Sequence, residues 1–156
     1  MNLSALLDAR RISINANISS KKRVLEHAAE LLAQGSDAIN PQTIFASLVA
    51  RERLGSTGLG NGIAVPHGRV KSLHRPIAAL IRLVDGIEFD AMDGAPVDLM
   101  FCLIIPESSP EAHLDILATL ARMFSDNAFC TRLRALDTSR QAHALLAQWD
   151  QTDAGA

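Results

Sequence analysis

His67 is the residue of this chain whose type and neighbours best suit covalent chemistry. It stands between Pro66 and Gly68, so proline fixes the direction of the backbone and glycine leaves the imidazole uncrowded. A neutral imidazole with one unprotonated nitrogen can attack phosphorus, and its pKa makes it competent near neutral pH. A lone histidine is more often structural than catalytic, so the residues around it must decide between these roles.

The segment before this histidine is rich in glycine. Gly55, Gly58, Gly60 and Gly62 fall close together, and glycine loses more backbone entropy on folding than other residues, so the pattern needs a physical reason. One reason is a tight turn, and another is a loop whose backbone N–H groups face an anion. The segment lacks both the Gly-Lys-Ser/Thr ending of a nucleotide P-loop and the Gly-x-Gly-x-x-Gly spacing. The sequence leaves the turn and the anion-binding loop open.

Hydrophobic periodicity predicts the elements that must position these residues. Apolar residues alternate over 12–18. They recur at helical spacing after Ser19-Ser20, which offers an N-cap, and after Asn40-Pro41, a predicted N-cap followed by a proline at the first helical position. The run over 99–105 does not alternate, which predicts a central strand covered on both faces. The predicted strands are 12–18, 63–65, 77–84 and 97–105. The predicted helices run from Ser20 to Gly35, from Asn40 to before Gly55, from Ser109-Pro110 onwards, and over about 127–136 and 139–149, with turns at Asp85-Gly86 and Asp93-Gly94.

These elements predict one α/β domain. Its sheet is expected to be mixed and mostly central, with helices flanking both faces. We place the domain at 1–150, and residues 150–156 look frayed, with 151–156 as a flexible C-terminal tail.

Composition excludes several classes of function. The 156 residues are 48% hydrophobic and 21% charged, which allows a packed core and excludes wholesale disorder. A net charge of −2 and few aromatic residues do not suit a nucleic-acid partner. No apolar run approaches the ~20 residues of a membrane-spanning helix, and the N-terminus shows no signal peptide. With Cys102 and Cys130 expected as buried thiols, we predict a cytoplasmic protein without membrane insertion.

Residues 55–68 resemble a known active-site signature. Their sequence, Gly-Ser-Thr-Gly-Leu-Gly-Asn-Gly-Ile-Ala-Val-Pro-His-Gly, is similar to that of the mannitol/fructose-type enzyme IIA domains of the bacterial phosphotransferase system. The nitrogen-regulatory branch of that family is the best match. Further similarity over 20–26, 51–58 and 96–99 extends the resemblance through nearly the whole chain.

The resemblance implies which residues act. His67 matches the phosphorylated histidine, with its Nε2 as acceptor, Arg51 matches an arginine beside the phosphoryl group, and His113 matches a second active-site histidine. Arg51 ends the second predicted helix, within reach of the glycine loop, and His113 lies in the first turn of a helix, where the dipole favours an anion. No metal or cofactor is expected. The candidate phosphate-binding residues of the loop, some of which could instead only stabilise a turn, are Ser56, Thr57, Gly58, Gly60 and Gly62.

The resemblance also implies partners. The donor would be a small HPr-like carrier (NPr), and the two phosphorylation states would bind different targets, such as potassium-transport or sensor proteins. The protein would then be a phosphocarrier that forms a phosphohistidine rather than a turnover enzyme. Donor docking should bury no more than about 1,200 Å², with Leu59 and Ile63 as apolar contacts.

Two alternatives stay open beside this regulatory function. A free-standing sugar-specific enzyme IIA would pass the phosphoryl group to a transporter's IIB domain, and a protein-binding module would not be phosphorylated at all. A serine hydrolase built on Ser56 and His67 is disfavoured because Gly-x-Ser-x-Gly is missing.

Overall fold

The computed structural model describes residues 2–34, 39–108 and 110–154. Two short 3₁₀ helices, Leu3–Leu6 and Ala9–Arg11, precede the first strand. The strands are β1 (Ile12–Ala16), β2 (Gly58–Gly60), β3 (Ile63–Ala64), β4 (His67–Val70), β5 (Ile77–Ile87) and β6 (Val97–Pro106). The α-helices are α1 (Lys21–Leu32), α2 (Pro41–Glu52), α3 (Pro110–Phe124), α4 (Asn127–Arg134) and α5 (Ser139–Ala154).

Six strands form one mixed sheet within the described residues. Its order is β1-β5-β6-β3-β2, and β4 also pairs with β6. β1 is parallel to β5, β5 is antiparallel to β6, and β3 and β4 are both parallel to β6. This arrangement confirms the predicted mixed sheet.

β6 is the centre of the sheet, and its residues 99–105 are fully buried. Because side chains alternate along a strand, each face of β6 supports a different half of the core. Helices α3, α4 and α5 cover one face, and α1 and α2 cover the other. The first face carries Leu99, Phe101, Leu103 and Ile105, and the second carries Met100, Cys102 and Ile104. The central strand and the two-sided α/β fold are thus confirmed.

The predicted helix starts of α1 and α2 are confirmed by their caps. The Ser20 side chain accepts a hydrogen bond from the Arg23 N–H, and the Asn40 side chain accepts one from the Thr43 N–H. These caps satisfy N–H groups that have no partner inside the helix. The predicted end of the first helix at Gly35 and the predicted cap of α3 at Ser109 lie outside the described residues.

One predicted turn is wrong, and one is confirmed. β5 continues through Asp85-Gly86 to Ile87, and its register against β6 shifts after Arg82. Such a shift lets a strand accommodate residues that usually form turns. At the second position, the Gly94 N–H donates to the Ala91 carbonyl and closes a turn with positive φ.

The C-terminal helix is longer than the sequence predicts. α5 continues to Ala154, and the carboxylate of Asp150 is buried, where it accepts hydrogen bonds of 2.9 Å from the N–H groups of Leu3 and Ser4. The expectation that the chain is frayed from Asp150 onwards is therefore wrong for residues 150–154. The contact joins residues almost 150 positions apart, so the local sequence pattern carries no sign of it.

Candidate active site

A close contact between α2 and β4 sets the position of the candidate site. Gly68 lies against Ser47 of α2, and a Cβ atom at position 68 would collide with the Ser47 Oγ. That hydroxyl donates a hydrogen bond of 2.9 Å to the Arg69 carbonyl. Glycine at position 68 is therefore what allows the helix to approach the strand.

His67 follows β3, the strand predicted at 63–65, and it is itself the first residue of β4, a strand that was not predicted. It lies opposite Leu103 of β6, in the same register in which Ile63 lies opposite Leu99. β3 and β4 thus follow one line along β6, interrupted at Pro66, which has no N–H for the ladder. Because side chains alternate, His67 faces away from α2 and towards α3.

The His67 imidazole is held in one tautomer. Its side chain is buried, with 7% of the residue exposed, and its Nδ1 lies 2.8 Å from the Val65 carbonyl oxygen. A carbonyl only accepts hydrogen bonds, so Nδ1 carries the hydrogen and Nε2 of the neutral ring carries the lone pair. Nε2 is consequently the nucleophilic atom of this ring.

His113 of α3 stands beside His67. The centroids of the two rings are 5.2 Å apart, and the ring planes meet at 81°. Among the described residues, no hydrogen-bond partner reaches the buried Nδ1 of His113. Buried polar atoms normally have a hydrogen-bond partner, and a ligand oxygen would supply one to this atom.

Arg51 approaches the same place from α2. It lies one helical turn after Ser47, so it shares the side of α2 that meets β4. Its Nη1 donates a hydrogen bond of 2.8 Å to the Gly55 carbonyl, which confirms that it reaches the loop. Arg51 and His67 line a cavity of about 220 Å³ whose other lining residues are Ser56, Thr57, Gly58, Leu59, Val65, Leu117 and Leu120. The structure therefore brings Arg51, His67 and His113 together.

The loop residues predicted to bind phosphate divide into two groups. Ser56, Thr57 and Gly58 line the cavity, but both hydroxyls and the N–H groups of Thr57 and Gly58 are engaged within the chain. The Ser56 hydroxyl donates to the Phe89 carbonyl at 2.8 Å and accepts from the Gly58 N–H at 3.1 Å, and the Thr57 hydroxyl donates to Glu52. These three residues form a wall of the cavity, and their direct contact with phosphate stays a prediction.

Gly60 and Gly62 lie elsewhere, at the turn between β2 and β3. Both have positive φ, as does Asn61 between them, which is the conformation that favours glycine. A Cβ at Gly62 would approach Arg134 and Asp98, and neither glycine lines the cavity of His67. The turn is thus the physical reason for these two glycines.

Two residues near the site were not singled out from the sequence. Arg69 lies two positions after His67, on the same face of β4, because strand side chains repeat every second residue. That periodicity would have indicated Arg69 if β4 had been recognised as a strand. Glu52, the neighbour of Arg51, has a buried carboxylate bonded to Thr57, and no sequence signal marks that contact.

The electrostatics of the site favour neutral imidazoles. The pKa of His67 is lowered mainly by burial, with the cations of Arg51 and Arg69 acting in the same direction, against the Val65 carbonyl and the Glu52 carboxylate. Burial also lowers the pKa of His113, helped by His67 and the same arginines. Both rings are therefore uncharged at neutral pH, which leaves the Nε2 lone pair of His67 available.

An NMR titration of the histidine rings should find the pKa of His67 below about 6.5, the ordinary value for histidine. With the folded pKa below the unfolded one, the unfolded chain binds the proton more tightly. The contribution of His67 to the free energy of unfolding is then fully present above about pH 6.5, and it is lost as the pH falls through that value towards the folded pKa. The signal is assigned with a His67→Gln variant, and a midpoint above 6.5 would contradict this prediction.

Both cysteines are buried and unbridged, as predicted, and burial raises the pKa of each thiol, so neither is a thiolate at neutral pH. Across 2–34, 39–108 and 110–154, no three His, Cys, Asp or Glu side chains are grouped so as to hold a metal ion. No helix in that part of the chain combines the length and the apolar character needed to cross a membrane.

The fold and the site together define a class of protein: a two-sided α/β domain with a small cavity lined by an arginine and a buried histidine, and with a second histidine beside the first. The family described as "Phosphoenolpyruvate-dependent sugar phosphotransferase system, EIIA 2" matches residues 5–149. The chain belongs to this family, and the resemblance seen in the sequence is confirmed.

The relatives include regulatory and sugar-specific proteins. The nitrogen regulatory protein of Pseudomonas aeruginosa is 44% identical over 146 residues, which are 94% of this chain and 95% of that protein. The PTS system fructose-like EIIA component of Escherichia coli K12 is 33% identical over 144 residues, 92% of this chain and 97% of that protein. The crystal structure of nitrogen regulatory protein IIA-Ntr from Neisseria meningitidis matches with a TM-score of 0.87 and 38% identity, covering 92% of this chain and 98% of that one.

Proposed function

We propose that this protein carries a phosphoryl group on Nε2 of His67, accepted from the phosphohistidine of a small HPr-like carrier (NPr). The observation that carries the proposal is the Nδ1 hydrogen bond to Val65, which leaves the Nε2 lone pair of a buried ring beside Arg51 and His113. In the transfer, the Nε2–P bond forms as the donor's N–P bond breaks, and the departing imidazole keeps the electrons of that bond.

The neighbouring side chains would stabilise the transferred group. Phosphoryl transfer depends chiefly on positioning and on stabilising the charge of the equatorial oxygens. The Arg51 guanidinium and the His113 ring lie beside His67 and could meet these oxygens, and Arg69 adds positive charge on the same face. The cavity of about 220 Å³ is large enough for one phosphoryl group.

Exposed leucines at and near the site residues support docking of a protein donor. Of the large hydrophobic side chains that are exposed in the described residues, Leu59 lines the cavity, Leu114 follows His113, and Leu54 lies three residues after Arg51. Such exposed groups are typical of interaction sites. Ile63 was predicted to be an apolar contact of the donor, but it is 2% exposed and lies in the core, so that prediction is wrong. The interface would bury at most about 1,200 Å².

The phosphoryl group would serve regulation in the cytoplasm. A phosphohistidine adds roughly −1.5 to −2 charges to this surface, which is enough to create or disrupt a small interface. The phosphorylated and unphosphorylated forms would therefore bind different targets, of which potassium-transport and sensor proteins are examples. Similarity at 44% identity to a protein named for nitrogen regulation supports this function.

A sugar-specific function is the second candidate. Similarity at 33% identity to a fructose-like EIIA component favours it. In that case the phosphorylated protein would pass its phosphoryl group to a IIB domain. Mixing the purified phosphoprotein with fructose- and mannitol-type IIB domains separates the two functions, because rapid loss of the phosphoryl group would identify a sugar-specific enzyme IIA.

The mass of the intact protein, measured after incubation with phosphoenolpyruvate, enzyme I and the carrier, tests the proposal. We expect a gain of one phosphoryl group that is lost in acid, as phosphohistidine is. Omitting the carrier is the control and should prevent the gain. If several cognate carriers leave the mass unchanged, the phosphocarrier function is refuted and the unphosphorylated binding module becomes the leading function.

A further inference from the structure

Glu52, the last residue of α2, has a buried carboxylate that the proposed transfer does not use. Its side chain is only 5% exposed, yet both of its oxygens have partners. The Thr57 hydroxyl donates to Oε1, the Thr57 N–H lies 3.3 Å from Oε1 and 3.4 Å from Oε2, and the Lys21 ammonium lies 3.1 Å from Oε2. Burying a carboxylate costs free energy unless it is paired in this way, so these contacts indicate a structural or functional role for Glu52.

The contacts of Glu52 lead directly to His67. The Thr57 carbonyl accepts a hydrogen bond of 3.0 Å from the Val65 N–H, and the Val65 carbonyl accepts the bond of 2.8 Å from the His67 Nδ1. A continuous series of hydrogen bonds therefore runs from the end of α2 to the ring that presents the nucleophile. Arg51 precedes Glu52 and binds the Gly55 carbonyl. Two consecutive residues of α2 therefore bind Gly55 and Thr57 of the segment that follows the helix.

Lys21 binds Oε2 of the Glu52 carboxylate. Its ammonium lies 3.3 Å from the Phe89 carbonyl oxygen and 4.5 Å from the centroid of the Phe89 ring. The same carbonyl accepts the Ser56 hydroxyl at 2.8 Å. The Phe89 carbonyl thus binds both Lys21, at the start of α1, and Ser56, in the wall of the cavity. The charge of Glu52 is neutralised by Lys21, without Arg51.

We propose that Glu52 is a positioning residue, which holds Thr57 and, through Val65, the imidazole of His67 in a fixed place relative to the Arg51 guanidinium. The inference rests on the proposed function, because it explains how the acceptor and the charged group stay aligned. In-line transfer is sensitive to such alignment, since a displacement of about 1 Å can cost a factor of about 10² in rate.

The rate of phosphorylation by the phosphorylated carrier tests this role in five variants of the full chain. In Glu52→Gln one amide oxygen replaces the two carboxylate oxygens that bind Thr57 and Lys21, and the negative charge is lost. Thr57→Val removes the hydroxyl without changing the shape of the side chain. We expect each to slow transfer about tenfold. The double variant should be no slower than the slower single variant, because both break the same connection. Thr57→Ser should recover most of the rate lost in Thr57→Val. Glu30→Gln, at an exposed position of α1, is the matched control and should transfer at the wild-type rate.

The pH profile gives a second measurement that loss of stability alone would not produce. The Glu52 carboxylate raises the pKa of His67, against burial and the cations of Arg51 and Arg69, so Glu52→Gln should shift the titration of the His67 ring, which lies beside His113, to lower pH. Wild-type rates in both single variants, or additive losses in the double variant, would overturn the positioning role while the proposed function stands. If Glu52→Gln does not fold, the comparison of Thr57→Val with Thr57→Ser decides, and equal rates refute the role. Failure of the wild type to accept phosphate would refute the proposed function and this inference together.

Discussion

Replacing His67 with glutamine should abolish phosphoryl uptake completely. The glutamine amide keeps much of the size and polarity of the ring, but its nitrogen is not a nucleophile and cannot form a stable bond to phosphorus. In the structure Nε2 of this ring combines a lone pair with a place beside Arg51 and His113. Intact mass after incubation with the complete donor system should therefore show no phosphorylated species, whereas the wild type is converted.

The other histidines supply the controls. His74 is exposed, and His74→Gln should be phosphorylated at the wild-type rate. His113→Gln should still accept the phosphoryl group, but about 10² times more slowly, because it removes a group that meets the charge of the transition state. If the His67 variant is still converted and the His113 variant is not, His113 is the acceptor and the assignment is wrong.

Replacing Arg51 with alanine should slow phosphoryl transfer by a factor of about 10² to 10³. The guanidinium lines the cavity beside His67, where in the proposed transfer it would be the principal fixed cation for the transferred oxygens, and the loss of one such donor has an effect of this size in other enzymes. Arg51→Lys should recover only part of the rate, because an ammonium cannot make the two parallel bonds of a guanidinium. Single-turnover rates with phosphorylated carrier in excess measure both effects.

Arg53 provides the matched control for this experiment. It lies two residues further along the chain, is exposed, and lines a separate groove between α1 and α2. Arg53→Ala should therefore transfer at the wild-type rate. Equal losses in the two alanine variants would show that net charge near the loop is responsible and would refute a specific role for Arg51. Urea denaturation should show that Arg51→Ala lowers the free energy of unfolding by only about 1 kcal/mol, the value of its bond to Gly55.

Much of the fold was predictable because its causes are local. Ser20 and Asn40 bind N–H groups three residues away, so the sequence alone indicated where α1 and α2 begin. The uninterrupted aliphatic run of β6 indicated a strand buried on both faces. The unusual motif at 55–68 indicated His67, and through the resemblance it indicated Arg51 and His113.

The less successful predictions concern contacts between distant residues. The strand β4 that begins at His67 was not predicted, because its pairing depends on β6 and a four-residue strand has little periodicity of its own. The glycines at 60 and 62 were placed in a phosphate loop, but the partner strand makes them part of a turn. Glu52 looked like one more charge at a helix end, and only its burial beside Lys21 distinguishes it.

The sequence by itself determined the family, the α/β class, the helix starts and the identity of the candidate nucleophile. These follow from short-range spacing and from residue chemistry, which do not depend on the rest of the fold. Only the tertiary structure decided which ring nitrogen carries the lone pair, which loop donors are already engaged, and how Glu52 joins α2 to His67. Those features depend on distances between atoms of separate elements, and such distances exist only once the helices have packed against the sheet.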